Sequence, residues 1–242
     1  MELPSISRRF QEAVFWAPLP IIGIFIALKL GSPLRYQQII TEDEVLENVQ
    51  FVFYVIAAVT GFIAASKFRR AGMRWHAIAW YLFSAAALLV AIEEVSWFER
   101  VTGIHFDSLR ERNTHQESNI HNLDVIQPYL ITFYTAVGAV GTFGWIFFPQ
   151  SYVLPPKELC LYFFPSFGLY SFFLISPLLV HSFGCGACAV GQRIVWRDQE
   201  TVETLLAFGF ALNAAIALAR RPKFAGRMDP LPVRLPTRDM WH

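Results

Sequence analysis

Six stretches of this chain stay apolar for long enough to cross a bilayer, whose hydrocarbon core needs about 20 residues of helix. They cover about 13–30, 47–66, 75–94, 123–148, 159–181 and 201–219. A membrane strand would need only about 9–11 residues and would alternate in polarity. These runs are longer and do not alternate. The pattern therefore predicts an all-α integral membrane bundle of six transmembrane helices over 1–220. The segment 221–242 is rich in Pro and Arg without apolar periodicity, and is expected to be a cytoplasmic tail. The first stretch follows Arg8 and Arg9, as a secretory signal would. It is long, however, contains Pro18 and Pro20, and meets Lys29 rather than a small-residue cleavage site. It reads as an uncleaved anchor.

Composition strengthens this class. The 242 residues are 55% hydrophobic and 16% charged, where soluble domains are roughly 45–50% and about 25%. A net charge of +1 gives no electrostatic footprint for nucleic acid. Three Cys make no disulfide scaffold. The bilayer itself is the first expected partner.

Positive charge orients the helices. With the N-terminus inside, the inner segments hold 13 of the 20 Lys and Arg, including Lys67, Arg69, Arg70, Arg74, Arg220 and Arg221. Both termini are therefore expected to be cytoplasmic. The same division puts 14 of the 19 Asp and Glu outside, together with His105, His115, His121 and His181. Acids weigh little in topology, so this asymmetry points instead to chemistry on the outer face.

The sharpest candidate lies where the third helix ends and the fourth begins. Glu93-Glu94-Val95-Ser96-Trp97 closes one, and His115-Gln116-Glu117-Ser118-Asn119-Ile120-His121-Asn122 leads into the other. Glu93 and Glu94 lie about 100° apart on a helix, so both cannot face lipid. Glu117 and His121 share a face if their segment is helical. Clustered carboxylates repel unless protons, donors or a cation offset them, and carboxylate mixed with imidazole suits Zn²⁺, Mn²⁺ or Fe. Glu93, Glu94, Glu117 and His121 are the expected catalytic residues and metal ligands, with His115 and Glu47 beside them. No HExxH or EF-hand loop names a metal. The acids that open the second and sixth helices, among them Glu44, Glu47, Glu200 and Glu203, are expected to be solvated where the helix dipole favours them.

Glu93-Glu94-Val95-Ser96-Trp97 followed by Glu117-Ser118-Asn119-Ile120-His121-Asn122 resembles a group of bacterial multi-pass membrane proteins. Those carry Glu-Glu-x-Ser-Trp and then Asn-x-Gln-x-Glu-x-Asn-x-His-Asn. Glu42-Asp43, with Asn48 further on, is also similar, and the likeness covers about 40–122. The chain departs from the pattern at Phe98-Glu99 and at His115. The resemblance implies a bacterial inner membrane and supports the choice of residues, but names no reaction. Alkaline ceramidases are a more distant likeness. This chain lacks their late paired His, and what they suggest is the reaction class, metal-assisted hydrolysis of a lipid amide or ester.

Cys185-Gly186-Ala187-Cys188, after His181, is a second constellation. Its spacing suits a small disulfide, a reduced pair, or a metal or redox site. His76, beside Trp75, reads as an interfacial side chain. Gly138, Gly141 and Gly144 allow close helix packing. Three functions remain open: an enzyme acting on a lipid or lipid-linked substrate, a non-catalytic subunit or assembly factor that binds other membrane subunits, and a small transporter. No charge lies mid-span and no inverted repeat is visible, which disfavours transport.

Overall fold

The computed structural model describes residues 8–41, 45–96, 99–104, 106–113, 118–121, 123–147, 169, 171–174 and 199–219. Among the described residues the chain is helical without strands, and one isolated bridge pairs Asn113 with Leu123. In chain order the helices are α1 (Arg8–Trp16), α2 (Pro18–Gly31), α3 (Pro33–Thr41), α4 (Val45–Arg70), α5 (Arg74–Glu94), α6 (Glu99–Thr102), α7 (Asp107–Arg110), α8 (Gln127–Phe147) and α9 (Gln199–Ala219). Among the described residues four segments are long and apolar enough to cross a membrane: Glu12–Gly31, Val45–Arg70, Arg74–Glu94 and Glu200–Ala219. The expected spans 13–30, 47–66, 75–94 and 201–219 coincide with these. The expected fourth span begins later than its apolar run suggests, because Leu123 is held in the bridge, residues 124–126 form turns and helix starts at Gln127. Pro128 suits that first turn, where its missing N–H is not needed. Most of the expected fifth span, with Cys185 and Cys188 beyond it, lies outside the described residues.

The centre of the molecule is a three-helix unit of α4, α5 and α9. Its contacts are built on alanine: Ala57, Ala58, Ala87, Ala91, Ala207 and Ala211 at one level, and Ala64, Ala65, Ala77, Ala214 and Ala217 at the other. Small residues let helix backbones approach closely in lipid, where apolar burial alone does not drive helices together. Gly61 carries this furthest, since a Cβ there would stand 2.7 Å from Ser84 Oγ and 3.1 Å from the Phe83 ring. Phe68 and Trp80 fill the remaining space. His76 is buried here with its ring stacked on Phe68 at 5.5 Å. It lies in the first turn of α5, packed on α4 rather than exposed.

The α4–α5 turn explains why these helices form a tight antiparallel pair. Gly72 adopts φ +79, Met73 N–H donates to Phe68 O at 3.0 Å and Gly72 N–H donates to Arg69 O at 3.1 Å. This is the glycine-terminated helix end that satisfies otherwise orphaned carbonyls. Lys67 Nζ donates to Leu218 O at 2.7 Å and fastens the same end of α4 to the last turn of α9. The N-terminal span is attached far more loosely. Its apolar window is 11% buried against 67% for that of α9. α3 folds back onto α2 through Tyr36, which packs edge-on to Phe25 and under Lys29.

Candidate functional site

The opposite end of the three-helix unit gathers the acids. α5 ends there, and α4 and α9 begin there. Glu94 is only 8% exposed and Glu203 only 5%. Glu200, Glu47 and Glu93 stand within electrostatic reach of Glu94. The solvated position expected for Glu203 is thus corrected: it stands beyond the first turn of α9, where that helix packs along α4, and is buried there. The Tyr134 hydroxyl donates to the Glu203 carboxylate and brings α8 to the group. Buried Gln50 on α4 donates to Glu200 Oε2 at 3.0 Å, to Glu200 O at 3.2 Å and to Thr204 Oγ1 at 3.2 Å, tying α4 to α9 just beside it.

Glu93 does something different from its neighbour. Its Oε2 accepts from Ile120 N–H at 2.7 Å and His121 N–H at 3.1 Å, and lies 3.4 Å from His121 Nδ1. One carboxylate thus pins the returning loop and orients the imidazole. The rest of the loop is held by similar polar contacts. Asn113 Nδ2 donates to Asn119 O and Oδ1, and Asn119 Nδ2 donates to Ser96 Oγ at 3.3 Å. Ser118 N–H donates to Glu99 Oε2, and Arg110 Nη1 lies 3.5 Å from the other oxygen, Glu99 Oε1. Glu93, Ser96 and Asn119, all singled out by their sequence pattern, therefore have a folding role that the pattern alone does not show.

The structure brings Glu93 and His121 together and sets Glu94 beside them. His121 sits in a turn, not on a helix. The helical face it was expected to share with Glu117 is corrected on that ground, since loop contacts hold the segment ahead of Gln127. Glu117 and His115 lie outside the described residues. Glu47 is half-buried in the first turn of α4. Among the described residues no three or more His, Cys, Asp and Glu gather closely enough to hold a metal ion. A metal would need donors such as Glu117 or His115 to complete its set.

A cavity of about 250 Å³ joins these groups. Its polar end is lined by Glu93, Glu94, His121, Glu203, Tyr54 and Tyr134. Its walls then become apolar, with Phe83, Val90, Leu130, Val137, Leu206 and Phe210. Phe83 lies three turns from Glu94 on α5, about 16 Å along the axis. Tyr54 and Tyr134 are missed by reasoning from spacing, and Glu203 is named there but read as solvated. The signal that could have found them is polar atoms on the inward faces of otherwise apolar helices, which are costly at membrane depth. No family model, curated protein or solved structure matches the chain.

Proposed function

We propose that this protein is an integral membrane enzyme with an outward-facing Glu/His site that hydrolyses a lipid or lipid-linked ester or amide. The carrying observation is the single cavity in which Glu93, His121, Glu94 and Glu203 meet a long apolar wall. Binding sites are concave and mostly apolar with a few convergent polar groups, and this one could seat a chain below and a reacting group above. With Nδ1 held by Glu93, Nε2 of His121 is free to take a proton from water. That water attacks the substrate carbonyl, and the proton passes to the departing alcohol or amine, leaving a carboxylate. Tyr54, near the acids, supplies a hydroxyl for the charge that develops on the carbonyl oxygen.

In the same reading the chain has six spans, with α8 and a segment within 159–181 added to the four described above. Both termini are cytoplasmic in a bacterial inner membrane. The excess of Lys and Arg on the inner segments supports this orientation. A metal-dependent form of the reaction would draw Zn, Mn or Fe to Glu93, Glu94 and His121, with Glu117 or His115 completing the set. Elemental analysis of the purified protein tests that form separately.

The test of the enzyme reading is turnover. Purified protein in nanodiscs is incubated with a total polar lipid extract, and products are followed by mass spectrometry. Wild type should release products, and His121→Ala should lower the rate about 10²–10⁴-fold, the usual loss when a general base is removed. No product from wild type, or an unchanged rate in His121→Ala, would overturn the reading and favour a partner-binding subunit.

A further inference from the structure

Among the described residues, the carboxylates at the cavity's acidic end divide into those with donors and one without. Glu93 is engaged by His121 and two backbone N–H groups. Glu203 receives the Tyr134 hydroxyl, and Glu200 receives Gln50. Glu94 is more than nine-tenths buried and lines the cavity. It accepts no hydrogen bond among the described residues, and its electrostatic neighbours are Glu203, Glu200, Glu47 and Glu93. A carboxylate buried without donors among like charges is costly, and a cation or proton must offset it. The cavity is the side from which a cation can arrive.

The cavity's walls say which kind of cation. No Lys or Arg lines it among the described residues, so an anionic phosphate head would meet only carboxylates there. Beyond the acids the wall is aromatic and aliphatic for about three helical turns, too apolar for a hydrated inorganic ion and suited to an alkyl chain. A volume of about 250 Å³ lies just below the usual range of small-molecule pockets, which limits the occupant to one chain with a compact head.

We propose that the cavity selects single-chain amphiphiles bearing a cationic amine head, with Glu94 as the residue that receives the ammonium group. This rests on the cavity being the substrate site, and it names the substrate's charge class. Glu94 is the specificity determinant, while the Glu93–His121 pair carries out the reaction. One N⁺–H···O⁻ contact in a desolvated site is worth about 1.5–3 kcal/mol, or about tenfold or more in affinity.

The experiment is a competition assay on purified full-length protein in a non-ionic detergent. Radiolabelled dodecylamine is displaced by unlabelled dodecylamine, dodecanol or dodecyl sulfate at equal micellar mole fractions, and by sodium or calcium chloride. Dodecylamine should compete at least about tenfold better than dodecanol, and dodecyl sulfate and the salts should fail. Glu94→Gln should lose that preference, whereas Glu94→Asp should keep most of it. Val90→Trp, which fills the apolar wall and leaves Glu94 in place, should abolish binding. Equal competition by dodecanol or dodecyl sulfate, displacement by the salts, or an amine preference that survives in Glu94→Gln would overturn the inference. If the amine preference fails while lipid turnover still depends on His121, the charge class is wrong and the enzyme reading stands. If turnover fails while the preference holds, the cavity binds amines without catalysing.

Discussion

Adjacent residues Glu93 and Glu94 have opposite fates because a helix turns about 100° between them. Glu93 points toward the returning loop and collects three donors. Glu94 points between α4, α8 and α9 and collects none among the described residues. Replacing them should therefore give different phenotypes. Glu93→Gln keeps an acceptor for the loop but no longer polarises His121, so turnover should fall about 10²-fold or more with little loss of stability. Glu93→Ala also removes the acceptor for the Ile120 and His121 N–H groups, which water can partly replace, and should lower thermal stability in detergent by about 0.5–1.5 kcal/mol. Gln50 makes a third contrast. Polar contacts between membrane helices average about 0.6 kcal/mol and reach about 1–2, so Gln50→Leu should cost about that much in a denaturation titration. A cost near zero would show that its three hydrogen bonds do not hold α4 to α9.

At the scale of elements, sequence pattern and structure agree where apolar length decides the outcome. The helices Val45–Arg70, Arg74–Glu94 and Gln199–Ala219 are legible because no other arrangement hides so long an apolar backbone from water. α3 is not legible, being nine residues of mixed polarity held by its packing on α2 and on Leu46 of α4. The late start of α8 is hidden as well, since the loop ahead of it is fixed by Asn113, Asn119 and Ser96, partners far apart in sequence. Half of the candidate site was visible as Glu93, Glu94 and His121 near two helix ends. Glu203 was masked by its place at the start of the expected span 201–219, where acids are ordinary, and Tyr54 and Tyr134 by apolar runs in which aromatics are common. Helix contact gives the test at this scale. Gly61→Leu drives a side chain into Ser84 and Phe83 and should destabilise the α4–α5 pair by about 1–3 kcal/mol. Gly23 has nothing within 4 Å of its Cβ position, so Gly23→Ala should be neutral or stabilise by up to about 1 kcal/mol. Equal thermal shifts for the two variants would contradict the packing described.

Over the whole molecule, a tight helical unit carries a cavity at one end, while the N-terminal span leans on it with little burial. The end of the unit with Lys67, Arg69 and Arg70 is opposite the end with the acids, which in the proposed topology puts the cavity's acidic end outside. A C-terminal reporter should then be active only in the cytoplasm, and Cys185 and Cys188 should react with a membrane-impermeant thiol reagent only after reduction. The central claim is that the cavity holds a lipid chain beside Glu93, Glu94 and His121. A long-chain amine carrying a terminal diazirine tests it most directly: it is photolysed with the protein in nanodiscs, and the adducts are mapped by mass spectrometry. The account predicts adducts around Phe83, Val90 and Phe210 that vanish in Val90→Trp. Adducts confined to outward residues such as Leu82, Leu88 and Leu89, unchanged by Val90→Trp, would contradict it.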